Sequence, residues 1–491
     1  MIMGSTPALP QEWLLPGVSA AVGAPLLAAG VAATGLVTAG RLRALACGAS
    51  CVALAAGLVL CAAVHAGAGL PLSWGDSLGG GRLVHVDGLG AVLLAYTALV
   101  STAIVLVTPR RMLDATSSRR MLLGLSATLA LFATSHPLML VVLWLATAQP
   151  TWRATYTTPG GRAAARVYAV YLSVALAFMA AGTVMLVADP PWERASGPLG
   201  TLGGWLVAIA VMIRKGIVPF HSWYPALFSG AAMSTALRAT QPQVAAYTAV
   251  RLLVGHADGV PYELDMLALL ALVTAVYGGG LAIAQRDLRG FIGALAMSQS
   301  ALVLAGLAGT LPMELTGAFC VWISSGLAIT GIGLVSWALE SRAGAIPLER
   351  LQGRFWDAPA LAAFFLLFGM ASIGFPGTLS FVADDLIVSG SLEDHVAAGM
   401  MVIASTVLCG IAVMRCWFTV FGGPTGADNP RHAILPRERV AFTALLAVLF
   451  GLGLRPGPLV RSLDRAATLI LKVPASSLPS GDLLPSSSTL P

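Results

Sequence analysis

A polar interruption with two cations, one histidine and two prolines divides a long apolar region at Ile213-Arg214-Lys215-Gly216-Ile217-Val218-Pro219-Phe220-His221-Ser222-Trp223-Tyr224-Pro225. An arginine or lysine at bilayer depth costs at least about 2.5–3.5 kcal/mol and normally faces a bundle interior or a wet cavity. Proline also frees backbone carbonyls, which only neighbouring protein or water can satisfy there. The interruption therefore predicts a broken helix that lines a polar path.

The composition is that of a polytopic, all-α membrane protein. The 491 residues are 57% hydrophobic and 10% charged, and the mean hydropathy is +0.84. One span of the hydrocarbon core needs about 20 apolar residues. We predict fourteen spans, at 17–39, 44–66, 88–108, 119–134, 137–150, 167–187, 200–236 with a break, 239–255, 264–284, 288–309, 316–339, 358–390 with a break, 398–421 and 439–456.

Charge alternates between successive loops. The formal net charge is +6, which in a soluble protein would favour nucleic acid, but here its placement matters more and we predict no nucleic-acid partner. One set of loops carries Arg41, Arg43, Arg110, Arg111, Arg119, Arg120, Arg153, Arg162, Arg166, Arg286, Arg289, Arg342, Arg350, Arg354, Arg431, Arg437 and Arg439. The opposite set carries Asp76, Asp189, Glu193, Asp258, Glu263, Glu314, Glu393 and Asp394. The positive-inside rule makes the first set cytoplasmic, which predicts a cell-membrane protein with both termini outside.

No segment of the chain resembles a cofactor domain. It has no Walker motif, no dinucleotide fingerprint and no cysteine ligand set for an iron–sulfur cluster, and its six cysteines include no CxxC. We predict no cofactor, no metal and no catalytic site in this polypeptide. Any energy that it handles must come from an ion gradient or from a partner.

Three groups of polar residues lie at membrane depth. In the first, Lys215 can lose its proton on burial whereas Arg214 stays charged, and His221 shares the same break; the alternative is a pair of cations that reach the interface from a helix end. The second break is Phe375-Pro376-Gly377-Thr378-Leu379-Ser380-Phe381-Val382-Ala383-Asp384-Asp385-Leu386-Ile387-Val388. Repulsion between its adjacent carboxylates favours proton binding by one of them, unless they merely mark a helix end.

The third group is Gln243, Tyr247 and Arg251, spaced four residues apart on one predicted helix face. We expect that face to look into protein and to line the polar channel. The charged cluster Ala284-Gln285-Arg286-Asp287-Leu288-Arg289 is more typical of a cytoplasmic turn. Gly278-Gly279-Gly280 predicts a close helix–helix contact.

Four separated motifs resemble one known family. They are Val86-Asp87-Gly88-Leu89, Lys-x-x-x-Pro-Phe-His-x-Trp-x-Pro from Lys215, Ala284-Gln285-Arg286-Asp287-Leu288-Arg289 and Pro-Gly-Thr-x-x-Phe from Pro376. The chain is similar to the antiporter-like membrane subunits of respiratory complex I, most of all to the middle one of the three, and to Mrp-type antiporters. The resemblance implies two inverted five-helix repeats with broken seventh and twelfth helices and a line of buried charges that moves protons.

The resemblance also divides the chain. It implies N-terminal helices 1–3 at 1–116, a first repeat at 117–256, a second repeat at 257–425, helix 14 at 426–473 and a disordered tail at 474–491.

Carried over residue by residue, the resemblance is incomplete. The position of the family's relay lysine on helix 7 is held by Arg214, with Lys215 one step on, and its helix 12 relay residue matches Asp384. The family's glutamate on helix 5, lysine on helix 8 and histidine on helix 11 fall on Leu145, Gln243 and Ser325. Three expected protonatable positions are therefore neutral, which implies a diverged member.

The leading hypothesis is a proton- or cation-translocating subunit of a complex I-like NADH:quinone oxidoreductase-type assembly. Its relay would be Lys215 or Arg214, then His221 and Asp384, with Asp385 in support. The alternatives are the membrane subunit of an inorganic-carbon accumulation complex paired with a soluble zinc protein, a non-conducting anchor and a secondary transporter. All of these hypotheses place the chain in the lipid bilayer. The complex I-like assembly and the carbon-accumulation complex also place it beside other membrane subunits.

The predicted topology can be tested with reporter fusions. We expect fusions at Arg111, Arg162 and Arg289 to report the cytoplasm and fusions at Asp76 and Asp258 to report the exterior. The opposite set of signals would overturn the assignment of sides.

Overall fold

Helices make up almost all of the computed structural model, which describes residues 14–35, 37–66, 71–76, 82–188, 197–254, 262–309, 311–424 and 433–471. Part of the predicted acidic loops (Asp189, Glu193 and Asp258), Arg431 and the predicted tail at 474–491 lie outside these ranges. The elements in chain order are α1 (Leu14–Ala33), α2 (Ala39–Ala66), β1 (Leu72–Asp76), β2 (Arg82–Val86), α3 (Gly88–Val107), α4 (Ala115–Phe132), α5 (Pro137–Thr157), α6 (Arg162–Ala188), α7 (Pro198–Lys215), α8 (Trp223–Gly230), α9 (Met233–Thr240), α10 (Val244–Leu252), α11 (Tyr262–Ala284), α12 (Leu288–Gly306), α13 (Pro312–Ala343), α14 (Pro359–Ala371), α15 (Leu379–Asp394), α16 (Val396–Phe421), α17 (Pro436–Leu454) and α18 (Gly457–Ile470).

The helices form one polytopic bundle with a closely packed centre and an apolar outside. In α12 and α13, 94% and 100% of the most apolar window is buried, whereas the value is 33% in α1, α6 and α16. The exposed surfaces of such helices are apolar, which suits contact with lipid and not with water. The all-α, membrane-spanning class predicted from composition is confirmed.

Three membrane-depth helices are interrupted. The first two breaks, between α7 and α8 and between α14 and α15, fall inside the predicted spans 200–236 and 358–390 and confirm both predictions. Gly216 and Gly374 take positive φ values of 70° and 76° there, a region that glycine enters without steric cost.

The third break was not predicted. The sequence indicates one continuous span at 239–255, but in the structure α9 starts at Met233 and the chain breaks between Thr240 and Val244. Pro242 accounts for this break, because proline interrupts the hydrogen-bond ladder of a helix. Gln243 takes a left-handed conformation with φ 51°.

The count of fourteen spans stays a prediction. Joining α7 to α8, α9 to α10 and α14 to α15 gives fourteen units as far as α17. Among the described residues, however, eight helices are long and apolar enough to cross a membrane by themselves, or nine with the bent pair of α17 and α18. The sequence also missed α18, which turns 78° away from α17, and the antiparallel hairpin of β1 and β2.

The glycine run in α11 has the predicted packing role. A Cβ atom on Gly278 would lie 3.0 Å from Ser298 of α12, and one on Gly279 would lie 2.9 Å from Leu408 of α16. Two helices therefore approach α11 at adjacent positions because no side chain keeps them apart.

Residues predicted to share one side of the membrane meet one another at the helix ends. Arg43 and Arg437 both donate to the Thr108 carbonyl oxygen, and Arg342 pairs with Glu438 at 2.6 Å. At the opposite end, Arg251 pairs with Asp87 at 2.9 Å.

The Asp87–Arg251 pair fastens the hairpin to the bundle. Asp87 also caps α3, because its Oδ1 accepts a 2.7 Å hydrogen bond from the Gly90 N–H. Burial alone would raise the pKa of the Asp87 carboxyl, but the Arg251 guanidinium and the Gly90 N–H outweigh burial and hold it at about 2. Burial first, and then the positive charge of Arg251, lowers the pKa of the neighbouring His85 to about 4, with Asp87 opposing and Arg82 assisting.

His85 should give the protein a measurable acid sensitivity. Its imidazole is neutral in the fold, whereas in the unfolded chain it takes up a proton as the pH falls below 6.5, its unperturbed pKa. Stability present above that value should be lost as the pH falls toward about 4, by at most about 3 kcal/mol. We expect His85→Gln to flatten the thermal stability profile over this window in detergent.

The exposed His65 provides a matched control. His65→Gln should keep the wild-type profile, and an unchanged profile in His85→Gln would refute the role given to His85.

Candidate functional site

Lys215 is the most deeply buried cation of the first broken helix. It is the last residue of α7, its side chain is 3% exposed, and Gly216 in a left-handed conformation turns the chain away behind it. The Lys215 Nζ donates a hydrogen bond to the Gln243 Oε1. Because Gln243 precedes α10, the unwound segments of two broken helices meet in this bond.

A small cavity surrounds the Lys215–Gln243 bond. Its volume is about 10 Å³, and its lining includes Tyr224, Thr240 and Ser300. A cavity of that size holds about one water molecule where polar partners are present. The ammonium group therefore has hydroxyl groups within its surroundings as well as its amide acceptor.

Arg214 points away from Lys215, toward α5. Its Nη1 donates to the Trp144 carbonyl oxygen at 3.0 Å, and its Nη2 donates to the Thr147 Oγ1 at 2.6 Å. The guanidinium carbon also lies 4.5 Å from the centre of the Trp144 ring, within the range of a cation–π contact. Trp144 is held in turn by a 2.7 Å hydrogen bond from its Nε1 to the Thr248 Oγ1 of α10.

Two further cavities meet at Arg214. A polar cavity of about 40 Å³ lies between Arg214 and Arg238. A larger, mostly apolar groove of about 260 Å³ lies between α5 and α6, and Tyr168 and Arg214 line both spaces.

The second half of the bundle has its own polar cluster. The Ser298 Oγ of α12 donates to the Ala275 carbonyl oxygen at 2.7 Å and lies 3.1 Å from the Ser405 Oγ and 3.2 Å from the Cys409 Sγ of α16. Asp384 lies on α15, which packs against α16. The Asp384 carboxylate fits against Gly374, where any Cβ atom would collide with its Oδ2.

The structure brings only some of the predicted site residues together. Lys215 and Gln243 meet directly, and Asp384 faces protein. Asp385, one residue on, lies on an exposed face of α15, because consecutive helical residues are about 100° apart. His221 is half-buried against Tyr277, with ring centres 5.1 Å apart, and is not part of the lining of the Lys215 cavity.

Tyr247 and Arg251 of the predicted face are both engaged by other parts of the protein. The Tyr247 hydroxyl donates to the Phe132 and Thr134 carbonyl oxygens at 3.0 and 3.2 Å, and the Arg251 guanidinium covers its ring at 4.7 Å. Arg251 is already engaged by Asp87. Neither residue belongs to the lining of the three cavities described above.

Leu145 does not occupy the interior position that the resemblance implies. Its side chain is 54% exposed on the outer face of α5, and its neighbour Trp144 is 1% exposed and contacts Arg214. A carboxylate at position 145 would face the apolar groove and not Lys215.

Two residues important to the site were missed by sequence reasoning, Trp144 and Arg238. A signal for Arg238 was present: between Asp114 and Asp258 the chain contains only two acidic residues, Asp189 and Glu193, so buried arginines there have no carboxylate on the same helices. No comparable signal identifies Trp144. Its backbone carbonyl oxygen accepts a hydrogen bond from Arg214, and a backbone contact of this kind leaves no mark in the sequence.

Comparison with known proteins agrees with this architecture. Residues 168–410 match the family model described as "NADH:quinone oxidoreductase/Mrp antiporter, TM". NADH-quinone oxidoreductase subunit M of Mycobacterium tuberculosis is 25% identical over 267 residues, which are 54% of this chain and 48% of that protein. NAD(P)H-quinone oxidoreductase chain 4 3 of Trichormus variabilis is 24% identical over 424 residues, 80% of this chain and 78% of that protein. The chain spans about half the length of the first curated relatives that it matches.

Solved structures share the fold. A chain of the Mrp complex from Dietzia sp. DQ12-45-1b superposes with a TM-score of 0.84 at 18% identity, covering 93% of this chain and 97% of the other. A chain of respiratory complex I from Thermus thermophilus with bound NADH gives 0.81 at 20% identity, covering 92% and 99%. These neighbours share the polytopic helical fold of this chain. Over residues 168–410 the chain matches the NADH:quinone oxidoreductase/Mrp antiporter membrane family.

The Lys215–Gln243 bond makes a prediction about stability. Gln243→Leu leaves the buried lysine without its amide acceptor, and we expect a loss of about 1–3 kcal/mol, seen as a lower melting temperature in detergent. Gln149→Leu is the matched control, because Gln149 lies exposed on α5 beside the apolar groove. Equal melting temperatures for the two variants would mean that the bond contributes nothing.

Proposed function

We propose that this chain is a proton- or cation-translocating membrane subunit of a complex I-like, NADH:quinone oxidoreductase-type assembly. The observation that carries the proposal is the meeting of two broken helices at the Lys215–Gln243 hydrogen bond inside the membrane. Unwound backbone at bilayer depth is tolerated where it is buried in protein or lines a water-filled cavity, and paired broken helices mark ion sites in transporters built from inverted repeats.

Lys215 is the proposed proton carrier of the first half. Lysine exchanges a proton far more readily than arginine when it is buried, because arginine keeps its charge. The Gln243 Oε1 accepts a hydrogen bond from the ammonium group but adds no negative charge to hold the proton. Arg214 is therefore assigned a fixed electrostatic role beside the carrier and not a relay role.

The α12 helix is the proposed link between the halves. Ser300 lines the cavity at Lys215, and Ser298 contacts Ser405 and Cys409 of the second half. Hydroxyl groups both donate and accept, so a chain of them with intervening water can pass a proton in either direction. Asp384 is the proposed acceptor at the far end, and the repeats at 117–256 and 257–425 are the proposed half-channels.

The partners and the orientation are part of the same proposal. The relatives and the structural neighbours are subunits of multi-subunit membrane complexes, which supports other membrane subunits as partners. The arginine-rich loops support a cell-membrane location with both termini outside.

Adjacent carboxylates give a matched test of translocation. In the whole complex reconstituted into vesicles, we expect Asp384→Asn to lower proton flux at least about tenfold, because a proton acceptor is lost. Asp385→Asn makes the same chemical change on an exposed face and should leave flux near the wild-type value. Wild-type flux in Asp384→Asn would reject the relay and favour a non-conducting anchor.

The inorganic-carbon complex remains the second candidate. It is favoured by the absence of a carboxylate beside Lys215 among the lining residues of its cavity, since an altered first half suits a repurposed subunit. Co-purification of the tagged chain separates the two functions. A quinone-reducing module would support the leading proposal, and a large soluble zinc protein would support the alternative.

A further inference from the structure

Two arginines share one buried polar cavity in the first half of the bundle. Arg214 of α7 and Arg238 of α9 both line the space of about 40 Å³. Arg214 is engaged by two oxygens of α5 and by the Trp144 ring. Within the described residues, Arg238 has one hydrogen bond, from its Nε to the Ser234 carbonyl oxygen of its own helix at 3.0 Å. Two fixed positive charges therefore face a common space.

No carboxylate is available on the elements that line this cavity. The lining residues come from α3, α4, α5, α6, α7, α9 and α10 and the link before α10, and none of these segments contains Asp or Glu. Asp87, at the start of α3, is paired with Arg251. Glu263 lies near Gly204, ten residues before Arg214 and thus about 15 Å away along α7. Among the residues that the structure describes, the elements lining the cavity therefore supply no counter-charge for the two guanidinium groups.

The rest of the lining is rich in hydroxyl groups. Besides the arginines, the polar lining consists of Thr97, Ser101, Thr128, Thr147, Thr151 and Tyr168. Thr97 is 3% exposed, and its Oγ1 has no hydrogen-bond partner in the part of the chain that the structure describes. A hydroxyl group buried without a partner costs about 1–3 kcal/mol unless something binds to it.

We propose that the cavity between Arg214 and Arg238 binds a small monovalent anion of the size of chloride or bicarbonate. The volume is sufficient for about three water molecules, so it admits such an anion and excludes a large organic one. Guanidinium N–H groups and hydroxyl groups are the donors that a small anion requires. The bound anion supplies the counter-charge that the helices lack, since isolated buried charges are strongly unfavourable.

The inference goes beyond the proposed function and does not depend on it. A subunit that moves protons, one that serves carbon uptake and one that moves nothing would all have the same uncompensated charges. Anion binding is measured without flux, so it can be absent while the proton relay stands, and the reverse.

The test compares sodium chloride and sodium bicarbonate with sodium gluconate at equal ionic strength. For the full chain in detergent, we expect the melting temperature to rise with chloride or bicarbonate and not with gluconate, logarithmically once the site fills. Arg238→Gln should raise the apparent dissociation constant roughly tenfold or more, since one charged donor group is lost. Arg153→Gln removes an exposed arginine of α5 and should keep the wild-type response.

Two further measurements test anion binding even if Arg238→Gln does not fold. Thr97→Val keeps the shape but removes the unpartnered hydroxyl group, and it should weaken the anion response without abolishing it. In crystals of the wild-type protein grown in sodium bromide, an anomalous peak should lie between Arg214 and Arg238. The same melting temperature in chloride, bicarbonate and gluconate, or no bromide peak at this place, would overturn the proposal.

Discussion

The rule that every backbone polar group in a bilayer must find a partner governs this molecule more than any single contact. Among the described residues, the breaks after α7, before α10 and after α14 are partly buried in protein, although Pro219 and Phe375 stay exposed. The break after α7 and the break before α10 share the Lys215–Gln243 hydrogen bond, so one buried interaction holds two irregular segments in register. The regular helices α3, α12 and α13 are themselves the most buried of the long apolar helices. The polar interior exists because the most apolar helices exclude lipid from it.

The electrostatic character of the two halves differs, although they have corresponding broken helices. The first half contains Lys215, Arg214 and Arg238 with no carboxylate on its helices, and the second half contains Asp384 and a cluster of two hydroxyl groups and one thiol. The buried groups that the two halves contribute to the proposed relay therefore differ in charge type, with a cation in the first half and a carboxylate in the second.

Much of the fold and part of the site were predictable from the sequence. Apolar run length, loop arginines and Pro-Gly clusters predicted the class and the two main breaks, because each is a local signal. The break at Gln243 was not predicted, because one proline in an apolar run is a weak signal on its own. The sequence could not predict whether Leu145 faces the interior or the outside of the bundle. The rotation of a helix about its axis depends on packing partners from elsewhere in the chain. For the same reason, the sequence does not show that Arg238 lines the same cavity as Arg214.

Ser298 and Ser300 lie two positions apart on α12, which places them about 200° apart around the helix axis. One serine therefore looks into the first half and the other into the second, across the width of a single helix. Any turn of α12 about its own axis has to disturb both environments at once and in opposite senses. A rotation of α12 that tightened the contacts of Ser300 in the first half would loosen those of Ser298 in the second half. A rotation of α12 would therefore couple the surroundings of Lys215 to those of Cys409 through one helix.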